Sequence, residues 1–231
     1  MEDRINNQTN SGKKYKKWFF VLVVVMILIL GIGIYFFILV RQNIKNINTG
    51  NNTNQSFTGT VATTDDPYTG GSEAKIVIVE FGDFQCPFCY QSFPIIRELI
   101  DNYGDQIKWI YRDFPDSVKH PHAQKAAEAG ECAQEQGKFW EMHDKMFINQ
   151  TDLTVAALKQ YAEEISLEIS SFNDCLDSGK YENEVLQDFT DGYYAGVRGT
   201  PTFFINNRKF EGVVPLEDFK SIIDQLIALS R

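Results

Sequence analysis

The longest unbroken apolar stretch of the chain is Trp18 to Val40, 23 residues without a charged side chain. As a helix rising about 1.5 Å per residue it reaches roughly 35 Å, enough to cross a hydrocarbon core of about 30 Å. The pattern predicts a transmembrane segment over residues 18–40. Residues 41–72 are the opposite: rich in Asn, Thr, Gly and Ser, with almost no apolar periodicity, they read as a flexible linker. Ordered patterning begins at residue 73. Lys75 to Phe81 is a β-branched run of the kind that forms a buried central strand. After a break at Gly82–Gln85, Tyr90 to Tyr103 puts Phe93, Ile96, Ile100 and Tyr103 on one helical face, with Pro94 inside it. Ile107 to Tyr111 predicts a second strand. Helical patterning then runs from about His122 to Tyr194, within an insertion at about 118–194, and Thr154 is a candidate cap for a helix over Val155–Ile165. Thr202–Asn206 returns to strand, Asn207-Arg208 suggests a hairpin turn into Lys209–Glu211, and Leu216–Leu229 closes the chain as a helix. The order β-α-β, helices, β-β-α predicts an α/β domain over residues 73–231, interrupted by a helical block.

Charge adds an orientation. Lys13, Lys14, Lys16 and Lys17 precede the apolar run, with Arg4 further back, whereas only Arg41 and Lys45 follow closely. The positive-inside bias makes residues 1–17 a cytoplasmic basic segment and places the C-terminal domain outside the membrane, where disulfides form and persist. The run exceeds the apolar core of about 7–15 residues in a cleaved signal peptide, and no small-x-small site follows it. An uncleaved, single-pass signal anchor is expected. Residues 1–72 carry a net charge of +3 and residues 73–231 a net of −12. A domain so acidic repels phosphates, which argues against a nucleic-acid partner.

The chemistry concentrates at Cys86-Pro87-Phe88-Cys89, where the buried strand has ended and a helix begins. A cysteine at a helix N-terminus faces unpaired N–H groups and the positive end of the dipole, which favour the thiolate that acts in disulfide exchange. Pro87 suits the first turn, where its missing N–H costs nothing. Half of a zinc site is the competing reading, but Cys132 and Cys175 are isolated and the histidines fall in no Cys/His array, so no metal is expected. A second feature is Gly199-Thr200-Pro201-Thr202-Phe203. A proline directly before a strand is either a cis turn or an ordinary trans residue at the strand start. Glu80 is the one acid in an otherwise apolar strand run. If buried it would have a raised pKa and could relay a proton to or from Cys89; a solvated, edge-facing Glu is the alternative.

Together, Val79-Glu80-Phe81-Gly82-Asp83-Phe84-Gln85-Cys86-Pro87-Phe88-Cys89, the Gly199–Phe203 segment and the helical block between them resemble the DsbA-like branch of the thioredoxin superfamily, over roughly residues 73–231. The resemblance implies a thioredoxin-like fold and thiol–disulfide exchange without a cofactor. In it Cys86 is the attacking or attacked sulfur, Cys89 the buried resolving partner, and Glu80 the buried strand acid. Thr200-Pro201 is a cis turn facing the pair, and with Phe88 it forms the expected substrate-binding surface. Strongly oxidising members carry His where this chain has Phe88, which removes a charge that would stabilise the thiolate. Oxidation of cysteine-containing secreted or cell-envelope proteins leads, with a membrane redox partner for recycling. A reductase or isomerase, and a membrane-tethered chaperone with a purely structural Cys pair, are the alternatives.

The remaining two cysteines should pair with each other, since four in a domain facing an oxidising compartment should pair evenly. A Cys132–Cys175 disulfide within the helical block is expected, with Cys175 near the start of its helix; two buried free thiols are the alternative. His120, His122 and His143 read as surface or capping residues, and Phe139 and Trp140 as helix core.

Overall fold

The computed structural model describes residues 61–206 and 208–229, together with Met26. The basic segment 1–17, the anchor 18–40 apart from Met26, and the linker up to residue 60 lie outside the described residues. Among the described residues no helix is long and apolar enough to cross a membrane.

In chain order the elements are β1 (Tyr68–Gly70), β2 (Ile76–Gly82), α1 (Pro87–Tyr103), β3 (Ile107–Asp113), α2 (Ala123–Gln134), α3 (Phe139–Ile148), α4 (Val155–Glu164), α5 (Ile169–Ser178), α6 (Glu182–Tyr194), β4 (Thr202–Ile205), β5 (Arg208–Glu211) and α7 (Leu216–Leu229). The strands form one sheet in the order β1-β3-β2-β4-β5. β2 and β3 are parallel, as a crossover through α1 requires, and the other neighbours are antiparallel. The strand acid Glu80 stands opposite Tyr111 of β3 and Phe203 of β4.

Alternation along the strands makes two cores. Ile76, Ile78, Ile107, Trp109, Phe203 and Ile205 pack with Ile96 and Leu99 of α1 and Phe219 and Ile223 of α7. Val79, Phe81, Ile110 and Phe204 pack on the other side with Phe114 and Val197, and Phe189 of α6 leans on them. A third cluster fills the helical block from α2 to α5 and extends to Phe84, Cys86, Cys89 and Tyr111, so Cys86 and Cys89 sit on the seam between sheet and helices.

Two sequence readings, the extent of the linker and the end of β4, need correction. The linker does not extend to residue 72: Tyr68–Gly70 is an edge strand paired with β3, its Tyr68 carbonyl accepts from Trp140 Nε1 at 2.9 Å, and the buried Asp66 reaches Arg112 Nε at 3.2 Å. Arg112 is itself buried and also pairs with Asp188 and Asp191 of α6, so a desolvated cation anchors this polar segment in place of apolar periodicity. The fully buried positions of α1 are Cys89, Ser92, Ile96 and Leu99; of the expected face, Ile100 and Tyr103 pack partly buried beside Ile96, and Phe93 packs on the helical block. Asn206 leaves β4 with φ 43°, yet its side chain continues the pairing by accepting from Val77 N–H at 2.8 Å and donating to the Lys75 carbonyl at 3.1 Å.

Thr154 does cap α4, its hydroxyl accepting from Ala157 N–H at 3.3 Å. Cys132 of α2 and Cys175 are joined by a disulfide with Cα atoms 5.9 Å apart. Cys175 lies in the second half of α5, not near its start.

Candidate active site

β2 ends at Gly82, where only glycine fits: a Cβ there would come within 2.5 Å of the Tyr111 ring and hydroxyl. The chain then turns on Asp83. Its carbonyl accepts from Cys86 N–H at 3.0 Å, its Oδ1 from Gln85 N–H at 2.7 Å and its Oδ2 from Asp116 N–H at 2.9 Å. Asp83 thus closes the turn that delivers Cys86 to the N-cap of α1, with Pro87 following in the first turn. Gln150 holds the same turn from the helical block, donating from Nε2 to the carbonyls of Phe84 at 2.8 Å and Cys86 at 2.9 Å.

Both thiols are free, and they differ in setting. Cys86 lies on the wall of a cleft of about 800 Å³, while Cys89 is fully buried beneath it. The Thr200-Pro201 bond is cis, and the Thr200 carbonyl oxygen is 3.3 Å from Cys86 Sγ. The Cys86 thiol is pushed down to about 5, first by a hydrogen bond from the Cys89 thiol, then, against desolvation, by the Thr200 side chain and the backbone N–H groups of Cys89 and Phe88. Burial, and then donation to Cys86, push Cys89 up.

Glu80 lies on the α1 side of the sheet, 1 % exposed, and burial raises its carboxyl to about 8. The Trp109 indole opposes that rise without reaching full hydrogen-bond geometry: Glu80 Oε2 and Trp109 Nε1 are both buried without a partner. Charge on Cys86 adds to the rise, and charge on Glu80 in turn raises Cys89, so the three groups are electrostatically linked.

The structure therefore brings Glu80, Cys86, Cys89, Thr200 and Pro201 to one place. Phe88, half-exposed, joins Phe114, Leu186, Phe189 and Tyr193 on the cleft wall. Cys132 and Cys175 are buried within the helical block as a separate bonded pair. The sequence reading missed Asp83, Gln150 and His120. His120 is not a free surface residue: its Nδ1 is 2.7 Å from Asp83 Oδ2, and it lines the cleft with Cys86. His143 is no surface residue either. It is fully buried among Phe84, Phe93, Tyr111, Phe139, Trp140 and Phe147, and burial lowers its pKa. Among the described residues no group of His, Cys, Asp and Glu could hold a metal ion.

The family profile described as Thioredoxin matches residues 62–225 of this chain. The chain belongs to the thioredoxin family. This thioredoxin-family chain is 38% identical over 162 residues to the Na(+)/H(+) antiporter NhaA 3 of Salinispora tropica, and 36% identical over 145 residues to the Na(+)/H(+) antiporter NhaA 1 of Mycobacterium sp.. Those matches take in 70% and 62% of this chain but 25% and 24% of the antiporters, so the chain spans about a quarter of the length of these curated relatives. Similar solved structures include a thioredoxin-like oxidoreductase from Silicibacter pomeroyi (TM-score 0.66, 21% identity, 73% of this chain and 95% of that one). The thiol-disulfide exchange protein alpha-DsbA2 from Wolbachia pipientis (0.64, 23%, 71% and 88%) and BdbD from Bacillus subtilis (0.63, 24%, 71% and 94%) are also similar. At these identities the likeness is one of fold, a thioredoxin-like DsbA-type architecture with helices inserted.

Proposed function

We propose that this chain carries out thiol–disulfide exchange on extracytoplasmic proteins, chiefly by oxidising substrate cysteines through a Cys86–Cys89 disulfide. The observation that carries this reading is the asymmetry of the pair. Cys86 borders an open cleft and is held near 5, whereas Cys89 is sealed and raised. A stabilised Cys86 thiolate is a good leaving group and favours the dithiol form, which makes the disulfide an oxidant. A substrate thiolate attacks Cys86 Sγ, the Cys86–Cys89 bond breaks, and the electron pair goes to Cys89, whose proton comes from Glu80. The second substrate thiolate then attacks its partner sulfur and releases Cys86. Thr200, Pro201 and Phe88 contact the substrate chain, with the Thr200 backbone available for strand-like pairing.

The location rests on Trp18–Val40 and the lysines before it, which put the domain outside the membrane. Substrates are then secreted or cell-envelope proteins, and a membrane redox partner reoxidises the dithiol. A reductase or isomerase is the second reading, favoured by Phe88, which brings no positive charge to the thiolate. A chaperone with a structural Cys pair fits poorly, because Cys86 faces the cleft. Refolding of reduced ribonuclease and reduction of insulin separate these. The oxidase reading expects fast disulfide formation in ribonuclease and slow insulin reduction. The reverse pattern overturns it, and activity in neither assay favours the chaperone.

A further inference from the structure

His120 is the one imidazole on the cleft that Cys86 borders among the described residues, and the exchange chemistry above gives it no task. Its setting is specific. Nδ1 lies 2.7 Å from Asp83 Oδ2; the His120 side chain is 21% exposed and that of Asp83 fully buried. Asp83 already accepts from Gln85 N–H and Asp116 N–H, so its carboxylate is an acceptor toward the ring as well. Nδ1 then carries the hydrogen toward Asp83, which leaves Nε2 as the nitrogen that exchanges a proton with the cleft. The same Asp83 accepts the Cys86 N–H through its carbonyl. One buried residue thus fixes both the backbone of the reactive cysteine and the orientation of an imidazole on the wall of its cleft. The loop carrying the ring is tied down again where His122 N–H donates to Gln85 Oε1 at 2.6 Å.

Glu80 cannot serve the substrate sulfur. It is buried on the α1 face of the sheet, beneath the cysteines. The other charged groups around the ring are Asp116 and Lys119 on its own loop, paired at 2.6 Å, and Arg198 across the cleft. Lys119 is a fixed cation close enough for charge on Cys86 to raise its pKa, an effect secondary to its bond with Asp116. Bound to Asp116 and largely exposed, it is a cation at neutral pH and accepts no proton.

Granting the exchange reading, we propose that His120, oriented by Asp83, takes the proton from the substrate thiol that attacks Cys86 and returns it when that sulfur leaves. In the oxidising direction Nε2 accepts the S–H proton as the new sulfur–sulfur bond forms on Cys86, and the Cys86–Cys89 bond breaks toward Cys89. In reverse, Cys89 attacks Cys86, the bond to the substrate breaks, and the imidazolium protonates the departing sulfur. The site then has two proton carriers, the buried Glu80 for the internal sulfur and the cleft-lining His120 for the external one.

The test uses leaving-group chemistry. The reduced full-length chain is oxidised by excess 2-hydroxyethyl disulfide, which releases a basic alkyl thiolate, or by 5,5′-dithiobis(2-nitrobenzoate), which releases an aryl thiolate that needs no proton. His120→Asn keeps an amide N–H able to reach Asp83 but has no nitrogen at the Nε2 position. It should slow the alkyl reaction at least tenfold and change the aryl reaction by less than twofold. His120→Gln should do the same and serves if the first variant fails to fold. Equal slowing of both reactions would mean His120 only shapes the cleft, and no slowing would mean it does nothing; either overturns the proposal. If the unaltered chain exchanges with neither disulfide, the exchange reading itself falls, and the proposal with it.

Discussion

The chain holds two pairs of cysteines that the fold treats in opposite ways. Cys86 and Cys89 are three positions apart at the start of one helix, free, and placed on the seam between sheet and helical block. Cys132 and Cys175 are 43 positions apart on two helices, bonded, and enclosed by the apolar side chains of that block. All four are buried, so burial alone does not tell the free pair from the bonded one. What differs is the polar surroundings. The first pair has a helix N-terminus, the Thr200 turn, Glu80 and an open cleft; the second has none of these.

Removing a sulfur from each pair should have opposite consequences. Cys86→Ala should abolish exchange, with a loss of at least about a thousandfold in insulin or ribonuclease assays, while Cys132→Ser/Cys175→Ser should stay within about twofold of the parent activity. Cys89→Ala should leave Cys86 nucleophilic and trap mixed disulfides, visible as adducts on non-reducing gels.

Glu80→Gln comes next. Exchange should slow by about ten- to a hundredfold through loss of the internal proton carrier. Stability should change in the opposite sense. A carboxyl raised from 4.5 to about 8 binds its proton more tightly in the folded state. Its contribution is complete below about 4.5 and lost as pH rises through about 8, a penalty of about 3 kcal/mol at pH 7. The variant should therefore unfold at higher denaturant than the parent at pH 7, and the decline between pH 5 and 8 should flatten.

The structural pair answers to denaturation instead. Closing its 43-residue separation stabilises by about 3–4 kcal/mol in the chain-entropy model, so the double Ser variant should lose roughly that much in urea unfolding. The smallest effect expected is that of Phe88→His. A cation beside Cys86 should stabilise its thiolate further and raise the reduction potential by about 30 mV or more, the equivalent of a tenfold change in equilibrium.

Much of this was legible in the sequence, for local reasons. The run Ile76–Phe81 is apolar on both faces because helices cover both sides of the sheet, and Cys-x-x-Cys at a helix start requires only nearest neighbours to recognise. Glu80 stood out by its polarity in that run. The parts that were missed depend on distant contacts. Asp83 and His120 are 37 positions apart, and Gln150 reaches Cys86 over 64. No pattern in one dimension links them. Tyr68–Gly70 was lost in a Gly- and Thr-rich stretch because an edge strand of three residues carries no periodicity; partners such as Ile110, Trp140 and the Lys108 ammonium over the Tyr68 ring hold it. The helical block hid its own logic for a similar reason: His143 looks polar in sequence but is enclosed by aromatic rings, and burial lowers its pKa against the pull of Asp144.

The most direct test of the account is the reduction potential of the Cys86–Cys89 pair, measured by equilibrating the full-length chain with glutathione buffers and counting free thiols by alkylation and mass spectrometry. A thiolate held at Cys86 and a disulfide poised to oxidise predict a potential above about −200 mV, in the range of disulfide donors. A value at or below about −270 mV, that of a thioredoxin-type reductant, would contradict it.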